Sequence, residues 1–355
     1  MAPGGTDRPL RVVHFGNDAD SVRGGIAAVI RQHLSKHDGR LTVSAISTYD
    51  PAGRGHGSRN RPYGRALRWI ATARGRDDLI AHVHISQGGS LLREGLLVLL
   101  LRLRRIPVVV TLHGSSSLSN GPAAVRLTSF VLRRATLAHF LSEAHAARYG
   151  RAARRHVVIP NAVDVDRDAG ARKQPHVVFA GVVGTRKGVD LLLEAWRSVP
   201  SAGWTLHLYG PQDGDYALPQ DVPGVVVHGE VEPATVQAAL AAASIAVLPS
   251  REEAFPMFLL EAMAHRCAIV ATDVGGVQEL MGSAGELVPS EDADALGRAL
   301  GRLISEPGTR EHLAAAAGDR AAERFDAGVL AHTWYASYTS LVTQPSDEEA
   351  VRVQR

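Results

Sequence analysis

A single cysteine, Cys267, in 355 residues excludes an internal disulfide and fits a reducing compartment. Long apolar runs are missing as well. The longest candidate membrane segment, Leu96 to Leu101, is far below the roughly 20 residues a span needs and runs into Arg102, Arg104 and Arg105. The first residues, Met-Ala-Pro-Gly-Gly-Thr-Asp-Arg-Pro, lack the apolar core of a signal peptide. A soluble, cytoplasmic chain is therefore expected, with a peripheral contact at the inner membrane face left open. Lysine is scarce too: 3 lysines stand against 36 arginines, so each lysine is a compositional rarity.

The charge that is present is unevenly spread. Residues 1–168 carry 25 basic and 12 acidic groups, +13, and the remainder 14 and 24, −10, which together give the net +3. A split of that size suggests two halves with different partners, the first attracting anions. With 45% hydrophobic residues the chain can fill two cores. Short apolar runs alternate with helical patterns, the signature of parallel sheets with crossover helices. In the first half the strands read Val12 to Phe15, Leu41 to Ile46, Leu79 to Ile85, Pro107 to Leu112, Leu137 to Leu141 and Val157 to Ile159. After a charged stretch near Asp166 to Pro175, a natural linker, a second set reads His176 to Ala180, Trp204 to Tyr209, Val225 to His228, Ile245 to Leu248 and Ala268 to Thr272. Two or three amphipathic helices follow from Asp292 to Val342, and the tail from Gln344 is expected to fray.

In such sheets ligands bind beyond the carboxyl ends of the strands, so those loops hold the candidates. After the first strand comes Arg23-Gly24-Gly25, which is not a Gly-x-Gly-x-x-Gly fingerprint and counts against a dehydrogenase. Its glycines let backbone N–H groups approach a diphosphate, with a plain tight turn as the alternative. Residues 51–65 read as a Gly- and Arg-rich loop, either a solvated linker or a cover for an acidic acceptor. Leu91 to Arg105 reads as a buried crossover helix with a basic end, a membrane-surface contact being the alternative. His113, in Thr-x-His-Gly at a strand end, can donate to sugar hydroxyls, although a structural role is the default for a chain with 16 histidines. Arg186-Lys187-Gly188 opens a helix; a compact ammonium there can follow a departing phosphate, or the pair is simply solvated.

The stretch that organises the rest is Pro-Ser-Arg-Glu-Glu-Ala-Phe-Pro-Met-Phe-Leu-Leu-Glu-Ala-Met-Ala from Pro249 to Ala264. Pro256 stands where a first helical turn begins, and the helix end behind it offers unpaired N–H groups and a partial positive charge to a phosphate. Glu261 lies among apolar neighbours, where a carboxylate is costly unless something polar meets it. A core helix with Glu261 at its solvent edge and Glu253 as an ordinary loop acid is the alternative reading.

Glu253 and Glu261, eight positions apart around Phe255-Pro256, resemble the paired glutamates of retaining glycosyltransferases of the family 4 type. Thr-x-His-Gly at His113, the Gly181 to Gly188 loop, Tyr209-Gly210-Pro211 and Asp273-Val274-Gly275-Gly276 are similar to further motifs of that family. Departures are Val182 where the family has arginine, Ala162 and Arg266 where it has glycine, and Ala268 where it has proline. The resemblance implies the α/β GT-B fold, two Rossmann-like domains facing each other across a cleft. Residues 1–168 would form the acceptor-side domain and 173–332 the nucleotide-sugar domain, with a helix at about 333–355 packing back on the first. It implies metal-free, configuration-retaining transfer from a nucleotide-diphospho sugar to a glycan, lipid-linked or small hydroxyl acceptor. No cofactor is implied beyond that co-substrate, and no nucleic acid. Glu253, Lys187 and His113 become the candidate catalytic residues. Gly24, Gly25, Arg186, Lys187, Gly210, Phe255, Pro256, Met257, Phe258 and Glu261 become the donor-binding ones. A nucleotide-sugar epimerase and a non-catalytic scaffold on the same architecture stay open, and the +13 half suggests an anionic or membrane-associated acceptor.

Overall fold

The computed structural model describes residues 9–17, 25–35, 40–50, 61–75, 78–86, 88–114, 121–165, 172–214, 216–219 and 222–342. The chain forms two compact units, Met1–Pro160 with Gly328–Arg355, and Asn161–Ala327. The division falls earlier than the charged stretch suggests because residues after Pro160 already pair within the second unit. Val163 donates its N–H to Phe325 O at 2.8 Å and accepts from Ala327 N at 2.9 Å. Most of that charged stretch, and the tail from Gln344, lie outside the described residues.

The first unit is built on β1 (Leu10–Asn17), β2 (Leu41–Tyr49), β3 (Leu79–Ile85), β4 (Val108–Leu112), β5 (Leu137–Phe140) and β6 (His156–Val158). They form one parallel sheet in the order β2-β1-β3-β4-β5-β6. Alternation sends Val13, Phe15, Ala81, Val83, Ile85, Val108, Val110, Ala138 and Phe140 into one apolar core. The helices α1 (Gly25–Ser35), α2 (Arg61–Thr72), α3 (Gly89–Leu103), α4 (Pro122–Arg134) and α5 (Glu143–Tyr149) connect the strands. The expected loop 51–65 is corrected in part: residues 61–65 already belong to α2, whose buried Pro62, Ala66 and Ile70 recur every four residues. Its remainder, 51–60, lies outside the described residues. Helix α3 buries Leu91, Leu97, Val98 and Leu101 as a crossover helix does, yet leaves Leu92 and Leu103 65% and 78% exposed.

The opposite face of this sheet mixes buried Val12, Ile80, Val109 and Leu137 with a polar row. His14 on β1, His82 and His84 on β3, Thr111 on β4 and His139 on β5 are all buried. Register makes them a row, with His14 beside His82, His84 beside Thr111, and Thr111 beside His139. The C-terminal helix Ala327–Thr339 covers the row, with Trp334 edge-on to His139 at 4.4 Å. One chain of hydrogen bonds there has a fixed direction. Ile159 O accepts only, so His139 donates from Nε2 at 2.6 Å. Burial holds His139 down at about pKa 3, so its ring is neutral and Nδ1 accepts from the Thr111 hydroxyl at 2.7 Å. That hydroxyl, its one proton used, accepts from His82 Nε2 at 2.6 Å, and His82 Nδ1 accepts from Tyr338 O–H at 2.8 Å. Helix Ala327–Thr339 is thus tied to β3, β4 and β5 through buried, paired polar groups.

The second unit repeats the plan. Its strands are β7 (Gln174–Ala180), β8 (Thr205–Tyr209), β9 (Val225–Gly229), β10 (Ala243–Leu248), β11 (Ala268–Thr272) and β12 (Glu286–Val288). They are parallel in the order β12-β11-β10-β7-β8-β9. The three-residue β12 has no apolar run long enough to announce it. Helices α6 (Val189–Ser198), α7 (Pro233–Ala242), α8 (Met257–Ala264), α9 (Val277–Met281), α10 (Ala293–Ser305) and α11 (Pro307–Arg324) flank this sheet. The chain runs from β7 outward through β8 and β9, then returns to the other side of β7 for β10 to β12. The order reverses between β7 and β10, and their carboxyl ends are where this topology opens a crevice. Among the described residues no helix is long and apolar enough to cross a membrane.

Candidate active site

Two loops leave the sheet at that reversal, residues 181–188 after β7 and 249–256 after β10. Lys187 Nζ reaches across to donate to Glu253 Oε1 at 2.5 Å, and the Ser250 hydroxyl donates to the same oxygen at 2.7 Å. The two charged side chains are only 16% and 7% exposed. A carboxylate so far from water persists as an anion only beside a cation and hydrogen-bond donors. The loops also touch through backbone. At Gly188, φ is +70° and a Cβ would lie 1.9 Å from Pro249 O, a position that only glycine fills. A third loop, after β11, closes from below: Gly275 (φ +57°) leaves no room for a Cβ, which would sit 1.8 Å from Glu253 O.

Arg251 staples these loops and was absent from the expected set. Its N–H donates to Arg186 O at 3.0 Å, and its guanidinium forks onto both Asp190 oxygens at 2.8 Å. It also pairs with Glu291 at 2.5 Å and donates to the Thr185 carbonyl. Burial pushes the Asp190 carboxyl up, but the Arg251 hydrogen bonds and charge outweigh it and leave it below the usual carboxylate range. Asn161 was also missed as a site residue. Buried, it donates from Nδ2 to Phe255 O at 2.9 Å and pins the loop just before α8. Neither residue type is distinctive in sequence; only the folded loops bring them to this use.

Helix α8 begins at Met257, one residue later than expected, with Pro256 as its cap at φ −71° and ψ 120°. Proline's fixed φ serves either position, and no side chain caps the end, so first-turn N–H groups such as those of Met257 and Phe258 are offered to an anion. Phe255 and Phe258 are buried, Phe255 standing edge-on to Phe325 at 5.8 Å. Met257 and Glu261 are the half-buried members of an otherwise buried helix. The Arg186 guanidinium has no partner among the described residues and is half-buried beside Lys187. Gly210 donates its N–H to Gly229 O at 2.7 Å, so that donor is spent inside the fold.

The remaining candidates belong to the first unit. Gly25 opens α1, and Gly24 lies outside the described residues. His113 follows β4, donating its backbone N–H to Ile85 O at 2.8 Å. Its Nε2 meets His84 Nδ1 at 2.8 Å, leaving Nδ1 as the ring nitrogen that His84 does not occupy. Burial, helped by the imidazoles of His139, His33 and His145, pushes His113 down to about pKa 3, so it is neutral at physiological pH.

Comparison with known proteins bears on this arrangement. A family model described as glycosyltransferase family 4 matches residues 26–167, and one described as glycosyl transferases group 1 matches residues 174–306. The chain belongs to the group 1, family 4 glycosyltransferases. Phosphatidyl-myo-inositol mannosyltransferase of Mycobacterium leprae is 32% identical over 206 residues, 54% of this chain and 55% of that protein. An exopolysaccharide phosphotransferase of Streptomyces coelicolor is 33% identical over 216 residues, 56% of this chain but 22% of that protein. The chain thus spans well under two thirds of either relative. HepE of Anabaena, solved in complex with UDP, shares the fold at a TM-score of 0.73 and 18% identity, over 94% of this chain and 100% of that one. The GT-B fold expected from the glutamate motif is the fold observed. In this glycosyltransferase family member the Lys187–Glu253 pair and the uncapped end of α8 both belong to the group 1 region, and His113 to the family 4 region.

Proposed function

We propose that this chain is a retaining glycosyltransferase that moves a sugar from a nucleotide-diphospho sugar to an acceptor hydroxyl. The observation that carries the reading is the buried Lys187–Glu253 pair at 2.5 Å, at the sheet's reversal point. Before donor binding each charge offsets the other. When a diphosphate arrives, Lys187 turns to it, joined by Arg186 in place of the family arginine absent at Val182, and by the first-turn N–H groups of α8. Together they stabilise the charge that develops on the β-phosphate as the anomeric bond breaks. The same cations supply what a divalent metal would otherwise supply, so the reading needs no metal.

Glu253, released from Lys187, holds sugar hydroxyls near the anomeric carbon and steadies positive charge there. Glu261 accepts from the ribose, and His113 hydrogen-bonds the transferred sugar. The acceptor oxygen bonds to the anomeric carbon on the face that the phosphate leaves, and its proton passes to the departing phosphate. The solved complexes of HepE with UDP and with UDP-glucose favour a uridine donor. The +13 of residues 1–168, and a cavity of about 410 Å³ lined by Arg102, Arg133, Arg134, Arg154 and two leucines, favour an anionic or membrane-associated acceptor. A cytoplasmic site of action at the inner membrane face accords with the lone, buried Cys267 and this basic half.

The test is incubation with a panel of UDP-, GDP- and ADP-sugars, following both turnover and protection against thermal unfolding. One nucleotide sugar should protect and be consumed, with the product's anomeric configuration retained by NMR. Glu253→Gln and Lys187→Ala should each abolish most turnover. Absence of protection by every donor, or full turnover in both variants, would overturn the assignment.

A further inference from the structure

A second chain of hydrogen bonds leads from the polar row to His113. His14 Nδ1 meets His84 Nε2 at 2.8 Å, and His84 Nδ1 meets His113 Nε2 at 2.8 Å. The far end, His14 Nε2, is buried with no partner among the described residues. His14, His82 and His84 also have ligand atoms within 4.8 Å of one another, a spacing that a metal ion could use. Hydrogen-bond accounting argues against that use. These three rings have six nitrogens, and five are already engaged, with Thr111, Tyr338, His113 or each other. A metal would have to break several of these bonds to gain one free nitrogen.

The accounting also constrains the protons. Each of the two N···N contacts needs one proton, and each neutral ring carries one. If His84 donates from Nδ1, then His113 Nε2 accepts and His113 carries its proton on Nδ1. His84 Nε2 then accepts, and His14 donates from Nδ1. If instead His113 donates from Nε2, then His84 and His14 carry Nε2 protons as well. No mixed arrangement fills both contacts.

We propose that His84 and His14 are positioning residues that lock His113 into one tautomer shared by all three rings, and so decide whether His113 gives or takes a hydrogen bond at Nδ1. The inference rests on the proposed role of His113 in holding the transferred sugar. It names the residues that set the polarity of that contact, since a sugar oxygen needs a donor and a sugar O–H an acceptor. Around the relay, His33 on α1, His82 on β3, His139 on β5 and His145 on α5 are the other titratable groups, and burial with mutual repulsion keeps His14, His84 and His113 neutral.

Histidine-selective ¹⁵N labelling of the full chain tests this through ring-nitrogen shifts. In the wild type, His14, His84 and His113 should show one common tautomer, with ¹⁵N–¹⁵N couplings across both contacts. His82 and His139, fixed independently by Ile159 O, should read Nε2–H. His84→Asn should let His113 populate both tautomers, and His14→Phe should shift the His113 ratio at least severalfold although one ring intervenes. Different tautomers among the three wild-type rings, or a His113 ratio indifferent to both variants, would overturn the lock. So would a transition metal retained stoichiometrically by the purified chain and lost on His14→Phe. The wild-type measurement stands even if a variant fails to fold. These readouts need no substrate, so a lock observed in a chain that turns over no nucleotide sugar would refute the transferase reading and leave the relay intact.

Discussion

Replacing Lys187 by methionine removes the ammonium and keeps most of the stem. Glu253, 7% exposed, then holds its charge with the Ser250 hydroxyl, 2.7 Å away, donating to the same oxygen. Taking one partner from a buried ion pair costs about 3–5 kcal/mol when water is excluded. Lys187 is 16% exposed, so water reaches the gap and the expected loss falls to about 2–3 kcal/mol. Glu253→Gln keeps an acceptor for Ser250 and should cost about 1–2 kcal/mol. The double variant carries no stranded charge, so its loss should be smaller than the sum of the two by about 2 kcal/mol. Urea unfolding of the four proteins, followed by tryptophan fluorescence, measures that coupling. Turnover should fall about 10²–10³-fold in each single variant, with the double little worse than the poorer single. Stability losses that add within about 0.5 kcal/mol would mean that the two groups act independently, and the reasoning would fail.

Three further outcomes follow from particular contacts. Tyr338→Phe leaves His82 Nδ1 a buried acceptor without its donor and should cost about 1–3 kcal/mol in thermal unfolding; an unchanged midpoint would refute the buried Tyr338–His82 hydrogen bond. Gly188→Ala meets both φ +70° and Pro249 O at 1.9 Å, so it should lower stability and donor protection together, and a neutral result would refute the contact between the two loops. His33, His113 and His139 lie at about pKa 4, 3 and 3 when folded, against 6.5 unfolded, so the unfolded chain takes up their protons first. Their stabilisation is complete above pH 6.5 and is lost as pH falls from there towards 4, at up to about 1.4 kcal/mol per unit for each histidine; a midpoint that is flat between pH 7 and pH 5 would exclude it.

Much of this protein was legible from the order of its residues alone. Alternating apolar runs and helical patterns are local signals, and eleven of the twelve strands among the described residues declared themselves because each carries a short apolar segment. The motif from Pro249 to Ala264 named Glu253 and the helix end behind Pro256, since a helix start and its cap are written within a few neighbouring positions. What escaped lacked such a local signal. Strand β12 is three residues long, and the first turn of α2 was hidden by its arginines and Gly64. Tertiary structure alone decided that Lys187 spends its charge on Glu253, 66 positions away. It alone gave Arg251 the task of joining two loops and set Asn161 beneath Phe255. The histidines of the first half read as separate residues until parallel register aligned four strands and turned them into paired chains with shared protons. Sequence records which groups are available within a turn or two of one another; which distant groups meet, and in what state of protonation, depends on strand order and register, which bring together residues far apart in the chain.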